Sequence, residues 1–229
     1  MACKNHTIKI AIDGPAGSGK STIAQKIADL LGIFYLNSGA LYRIIGYYLD
    51  NQQINPEDFK TIMNKIDDIE IVIKNNKYYL NGEDVSDKIK NAKSGMLASI
   101  YSKNAAVREK VNHLIKEISK KNSVVVDGRD IGTEVLPNSD IKIFLTASLE
   151  ERARRRWKEL KERGENVSYQ DILKEIEERD KADSTRNISP LRPAEDAIII
   201  DTTNKTIEDV IQEIVNILKE KGLYGNTCS

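Results

Sequence analysis

The stretch Ile8-Lys9-Ile10-Ala11-Ile12-Asp13-Gly14-Pro15-Ala16-Gly17-Ser18-Gly19-Lys20-Ser21-Thr22 decides the fold. It starts as a β-branched apolar run, turns through glycines, and ends on a lysine and hydroxyls that open an amphipathic helix. Residues 14–21 match the pattern G-x-x-x-x-G-K-[ST]. A chance match in a chain of this length arises on the order of once in a hundred chains. Here the strand before and the helix after supply the context that gives the motif its meaning. The glycines let backbone N–H groups converge on phosphate oxygens, and the helix N-terminus adds a favourable dipole. Residues Gly14 to Thr22 therefore read as a cradle for ATP, with Lys20 on the β- and γ-phosphates and the Ser21 hydroxyl on Mg²⁺.

Working outward, further apolar runs read as buried strands: Val124-Val125-Val126, Ile141 to Leu145 and Ala197 to Ile200, with Ile33 to Leu36 as a shorter fifth. Helical segments separate most of them, which predicts a parallel sheet covered on both faces. Thr22 to Leu31 puts Ile23, Ile27, Leu30 and Leu31 on one stripe, closed by Gly32. Val107 to Ser119 and Ile207 to Leu218 repeat apolar residues at helical spacing, the second after Thr206 as N-cap. One region departs from this alternation. Ile69 to Ile73 and Lys77 to Leu80 flank Lys74-Asn75-Asn76, with Asn81-Gly82 as a further turn, and predict an antiparallel hairpin set between α/β units.

The 229 residues suffice for one sizeable α/β core and a small insertion. With 35 basic and 35 acidic residues the formal charge is zero, which argues against general nucleic-acid coating and requires any anion site to be a local cluster. Cys3 and Cys228, at opposite ends, have no metal-ligand spacing. No stretch approaches the roughly 18 apolar residues of a membrane span. The expectation is a cytoplasmic monomer with no membrane and no nucleic-acid partner.

A phosphate cradle names only a donor. Transfer to a second small phosphate needs cations around both phosphates in a site closed to water. Arg43, Arg108, Arg129, Arg179 and Arg186 fall at the ends of apolar runs or beside glycines and carboxylates, where open α/β sheets place ligands. Glu150 to Arg163 reads as a basic helix, with Arg152 and Arg156 on one face and Arg155 adjacent. Pairs Glu151–Arg155 and Glu159–Arg163 would make it a solvated charged helix; the alternative is a lid bringing guanidinium groups onto the transferring phosphoryl group. Asp127, at the end of its apolar run, either supports Mg²⁺ or fixes the loop Gly128-Arg129-Asp130, and the sequence leaves both readings open.

These residues resemble the nucleoside monophosphate kinases, and the bacterial-type cytidylate kinases in particular. The matching stretches are Ile12 to Thr22, Ser38-Gly39-Ala40-Leu41-Tyr42-Arg43, Gly82 to Ser86 and Val107-Arg108-Glu109. Then come Asp127-Gly128-Arg129-Asp130-Ile131-Gly132-Thr133, Glu151 to Arg156, and Glu178 to Arg186. The resemblance runs from about residue 8 to about residue 215, and the Asp127–Thr133 and Arg179–Arg186 stretches are its most specific parts. It implies phosphorylation of CMP and dCMP by ATP with Mg²⁺, in a three-layer P-loop α/β fold with a parallel five-stranded sheet. It also implies an inserted antiparallel monophosphate-binding subdomain and a helical lid. The implied divisions are a core of about 7–38, 105–150 and 190–222, an insertion of about 39–104 and a lid of about 151–189.

By the same resemblance, Ser99, Arg108 and Asp130 would face the cytosine and Asp183 the sugar hydroxyls. Arg43, Arg129, Arg179 and Arg186 would surround the phosphates, with Ser38 and Tyr42 in the monophosphate pocket, and Lys20, Arg129, Arg155, Arg156 and Arg179 would serve the transfer itself. Two residues depart from the pattern: Asn37 replaces an aspartate before Ser-Gly-Ala, and Lys90 replaces an arginine, giving charge without a bidentate fork. The acceptor is already an anion, so no general base is required and His6 and His113 are not candidates. Other readings are a P-loop kinase of UMP or another acceptor, and a nucleotide-hydrolysing switch. The switch is disfavoured because Thr203-Asn204-Lys205-Thr206 lacks the aspartate of a guanine-reading segment.

Overall fold

The computed structural model describes residues 7–186 and 188–224, so Cys3, His6 and Cys228 lie outside the described residues. In chain order the elements are β1 (Lys9–Asp13), α1 (Lys20–Leu31), β2 (Phe34–Asn37), α2 (Ser38–Asn51) and α3 (Phe59–Lys65). There follow β3 (Ile71–Lys74), β4 (Lys77–Leu80), β5 (Glu83–Asp84), α4 (Ala92–Tyr101) and α5 (Ala105–Lys121). The chain ends with β6 (Val124–Gly128), β7 (Ile141–Thr146), α6 (Leu149–Glu162), α7 (Tyr169–Thr185), β8 (Ile198–Asp201) and α8 (Ile207–Glu220). A single π-helical turn, Ile131–Val135, follows β6. The fold divides into two compact units, Met1–Leu36 with Ile118–Ser229, and Asn37–Glu117.

The first unit holds a five-stranded parallel sheet in the order β2-β6-β1-β7-β8, the architecture expected from the apolar runs. β1 is central, and the chain fills one side of it before crossing to the other. The switch point therefore lies at β1, and the loops beyond the carboxyl ends of β1 and its neighbours are where this topology binds ligands. α1 and α8 cover one face through Ile23, Ile27, Leu31, Val210, Ile214 and Leu218, packed on Ile10, Ile12, Val125 and Ile143. Leu30 differs from expectation: it is 52% exposed, and Ala24 and Ala28 complete the buried stripe instead. Gly32 closes α1 in the left-handed conformation, at φ 63°. Thr206 caps α8 in a reciprocal capping box with Asp209.

α6 and α7 form a hairpin with its own small core of Ala153, Leu160, Ile172 and Ile176. Ser148 caps α6 and Ser168 caps α7, each accepting from the backbone N–H three residues on. Among the described residues, no helix is long and apolar enough to cross a membrane.

In the second unit β3, β4 and β5 form an antiparallel sheet. Asn75 and Asn76, at φ 52° and 57°, make its two-residue turn with the left-handed backbone that asparagine tolerates. α2 packs directly on α4, and Gly46 permits it: a Cβ there would lie 3.0 Å from the Leu97 Cβ. Gly46→Ala is expected to destabilise the protein by about 1–3 kcal/mol through overpacking, read as a lowered midpoint in urea with unchanged slope.

Candidate active site

The cradle emerges from the carboxyl end of β1. Gly14 has φ 153°, and a Cβ there would lie 2.1 Å from the Leu145 carbonyl oxygen at the end of β7. Gly17, at φ 76°, faces Arg152 with room for no side chain, since an added Cβ would come within 3.0 Å of the Arg152 Cβ. Both glycines are thus required where the loop packs against its neighbours, Gly14 on β7 and Gly17 on α6. Lys20 is buried, and its Nζ donates to the Pro15 carbonyl at 3.0 Å, across the loop it belongs to.

Carboxylates from the neighbouring strands flank this lysine. Asp127, on β6, accepts from the Ser21 hydroxyl at 2.7 Å and from the Tyr35 hydroxyl at 2.9 Å. Burial pushes its carboxyl above the ordinary range, against the pull of Lys20, Ser21 and Tyr35. Lys20 moves the other way: burial and the nearby Arg129 hold it well below the ordinary lysine range, Arg179 adds to the shift, and Asp127 and Asp183 oppose it. Among the described residues no group of three or more His, Cys, Asp or Glu side chains could cage a metal. A hydroxyl backed by one carboxylate beside a phosphate cradle suits Mg²⁺, which keeps waters and takes substrate oxygens as ligands.

Asp13 closes β1 and is buried. Its carboxylate accepts from the backbone N–H groups of Ile131 and Gly132 at 2.9 and 2.7 Å. Burial raises its pKa to about 6; Asp130 adds to the rise, while the two amides and Lys20 counter it.

The arginines after β6 and on α7 come together around a carboxylate. Arg129 Nε donates to Asp183 Oδ2 at 2.8 Å. Arg186 lies 3.8 Å from both Asp183 Oδ1 and Asp130 Oδ1, and its Nε donates to the Ser189 carbonyl. Burial would raise Asp183, but Arg129, Arg179 and Arg186 together outweigh it and hold the carboxyl below its usual range. Of the residues that the sequence nominates in this unit, Lys20, Ser21, Asp127, Arg129, Asp130, Arg179, Asp183 and Arg186 are therefore linked by contact or by charge.

The basic helix α6 is divided in its use. Arg155 bonds Glu151 at 2.8 Å, as its spacing suggests, and also reaches Thr202 Oγ1 at 2.9 Å and the Thr202 carbonyl at 2.6 Å. Arg156 pairs with Glu159 at 2.9 Å, which also takes Arg163 at 2.5 Å. Arg152 is the guanidinium seated on the cradle. It donates to the Ala147 carbonyl at 3.0 Å and the Ala16 carbonyl at 3.1 Å, and pairs with Asp180 of α7 at 2.6 Å. Sequence reasoning missed Tyr35, Thr202, Asp180 and the task of Arg152. Arg152 carried a signal in its i, i+4 relation to Arg156, and Asp180 in its place within the Arg179–Arg186 stretch.

In the second unit, Ser38 is buried at the start of α2, which Asn37 caps by accepting from the Ala40 N–H at 2.8 Å. The asparagine thus keeps the helix-capping acceptor that an aspartate would supply. The Arg108 guanidinium is buried and stands 5.8 Å from the Tyr42 ring centroid. Arg43 and Ser99 are half-buried, His113 is exposed, and Lys90 pairs with Asp87 at the surface at 2.8 Å.

A family model described as cytidylate kinase matches residues 10–220. The chain belongs to the cytidylate kinase family. It is 50% identical over 213 residues to the cytidylate kinase of Thermosipho melanesiensis, covering 93% of this chain and 97% of that protein. It is 51% identical over 215 residues to the cytidylate kinase of Fervidobacterium nodosum, again covering 93% and 97%. Among solved structures, an uncharacterized protein from Eubacterium ventriosum shares the fold, with a TM-score of 0.53 at 15% identity over 93% of this chain and 99% of that one.

For a cytidylate kinase the buried Asp13 has a measurable consequence. A carboxyl whose folded pKa of about 6 lies above its unfolded value stabilises below the unfolded value and loses that contribution as pH rises through 6. Asp13→Asn does not titrate. Its stability relative to the parent is expected to improve by about 1 kcal/mol from about pH 5 to about pH 7.5, measured by urea unfolding at each pH. A difference that is flat with pH would refute the shift.

Proposed function

We propose that this chain transfers the γ-phosphoryl group of ATP to CMP and dCMP, giving ADP with CDP or dCDP. An oxygen of the acceptor phosphate attacks the γ-phosphorus in line, and the bond to the β-phosphate oxygen breaks. The nucleophile is already anionic, so the protein's work is positioning and charge stabilisation. Lys20 meets the β- and γ-phosphates as the cradle's N–H groups close on them. Arg129 and Arg179 face the same centre and neutralise charge on the transferring group. Ser21, with Asp127 behind it, would hold Mg²⁺, which when bound offsets charge on the donor phosphates. Arg155 and Arg156 belong to a lid of about 151–189 that completes the cation set when both nucleotides are present.

Asp130 is assigned to the base. Cytosine presents an N4 amino donor, which a carboxylate accepts, and N3 and O2 acceptors, to which Arg108 and Ser99 can donate. Uracil reverses the sense at positions 4 and 3, which leaves a carboxylate opposite a carbonyl oxygen and costs about 1–3 kcal/mol per unpaired group. Asp183 is assigned to the sugar hydroxyls, and Arg186 to the acceptor phosphate. The roles of Ser38, Tyr42, Arg43, Ser99 and Arg108 rest on the resemblance of their motifs. The chain's balanced charge fits a cytoplasmic monomer, which is how we take the enzyme to work.

The observation that carries this reading is the convergence of Arg129 and Arg179 on the buried Lys20 in a chain matched along its length to the cytidylate kinases. ADP formation from ATP, measured with CMP, dCMP, UMP, AMP and no acceptor, should be fast with CMP and dCMP and slow otherwise. Equal rates with CMP and without acceptor would end the kinase reading, and preference for UMP would end the base assignment. Arg129→Ala is expected to lower kcat by about 100-fold or more while the protein still unfolds cooperatively. A variant that is simply unfolded would withdraw that support.

A further inference from the structure

Asp13 takes no part in the transfer just described, yet it is among the most enclosed carboxylates of the first unit, at 5% exposure. Its two oxygens divide between two consecutive amides: Oδ1 accepts from Ile131 N–H at 2.9 Å and Oδ2 from Gly132 N–H at 2.7 Å. Those amides belong to the residues immediately after Asp130. They open the π-helical turn whose first carbonyl, that of Asp130, accepts from Glu134 at 2.9 Å and Val135 at 3.2 Å. The second amide is closely packed. A Cβ on Gly132 would lie 3.4 Å from Asp13 Oδ2 and 3.3 Å from the Lys142 side chain. On its other side Asp13 adjoins Gly14, so one residue ties the donor cradle to the loop that carries Arg129 and Asp130.

We propose that Asp13 is a positioning residue for recognition of the acceptor base: by anchoring the amides of Ile131 and Gly132 to the end of β1, it sets where the Asp130 carboxylate stands. This rests on the reading of Asp130 as the cytosine-facing group. A carboxylate is the natural anchor because it alone among side chains offers separate acceptors to two amides from one short stem. A neutral amide at position 13 keeps one acceptor and turns N–H₂ toward the other amide. The loop then gives up one of two anchors and Asp130 loses its fixed place. A merely structural Asp13 would change stability and the active fraction, but it would leave the ranking of acceptors untouched.

The test is steady-state kinetics on the full chain, with parent, Asp13→Asn and Asp130→Asn measured in parallel with CMP and UMP. Asp13→Asn should raise KM for CMP about tenfold and lower the CMP-to-UMP ratio of kcat/KM by about tenfold, with KM for ATP changed less than about twofold. If Asp130→Asn abolishes the CMP preference and Asp13→Asn leaves it intact, the positioning role falls while the base reading stands. If Asp130→Asn leaves the preference unchanged, the base reading falls and takes this proposal with it. Should Asp13→Asn fail to fold, Asp13→Ser, which is smaller and keeps a single acceptor for the two amides, is expected to reduce the CMP-to-UMP ratio in the same way. An unchanged ratio in Asp13→Ser would then overturn the proposal.

Discussion

Lys20 is buried beside Arg129 and Arg179, and the arrangement holds because Asp127 and Asp183 face the same cations. Burial first, and then repulsion by the two arginines, holds the lysine below its ordinary range. Asp127 and Asp183 offset that repulsion. A polyanion would offset it better, since several phosphate oxygens can meet several cations at once. The ion pairs of Arg129 with Asp183, and of Arg186 near Asp130 and Asp183, join the same groups that are assigned to bind substrate. Removing one member of such a buried set leaves the others uncompensated, which is the costly way to disturb it.

The sheet makes this gathering possible. Lys20, Asp127 and Asp183 lie far apart in sequence, but strands β1 and β6 are paired in register from Lys9↔Val124 to Asp13↔Gly128. Their carboxyl ends therefore deliver Asp13 and the cradle beside Asp127, Arg129 and Asp130. The α6–α7 hairpin adds its residues through two fixed points. Arg152 bridges the Ala16 carbonyl and Asp180, and Arg155 grips Thr202 after β8. Arg152 thus ties the hairpin to the donor loop, and Arg155 ties it to the residue that follows β8.

Much of this was legible in the sequence, and the limits have physical causes. The strands announced themselves as β-branched runs because parallel strands are buried on both faces. The cradle was legible because its glycines answer to steric demands that no other residue meets. The hairpin turn showed in Asn75-Asn76 and the α8 start in Thr206. Leu30 misled because an apolar stripe drawn at helical spacing cannot say where the partner face ends. α7 went unread because its charged surface hides a narrow stripe of Ile172 and Ile176 that is buried only against α6. Tyr35 and Thr202 left no trace, since the partners of the Tyr35 hydroxyl and of the Thr202 hydroxyl and carbonyl are set by long-range pairing. The contacts of Arg152 were not legible because Ala16, Ala147 and Asp180 are brought to it only by the folded sheet and the α6–α7 packing.

On the proposed function the site stabilises charge and supplies no base, so the acceptor must bring its own anionic oxygen. The most direct measurement compares CMP with cytidine as acceptors for ATP under saturating conditions, following the phosphorylated product itself. CMP should be converted to CDP, whereas cytidine, whose 5′-hydroxyl must lose a proton to react, should yield no CMP above background. Conversion of cytidine at a rate comparable to that of CMP would contradict the account, because it would require a proton acceptor that this arrangement of cations and ion-paired carboxylates does not provide.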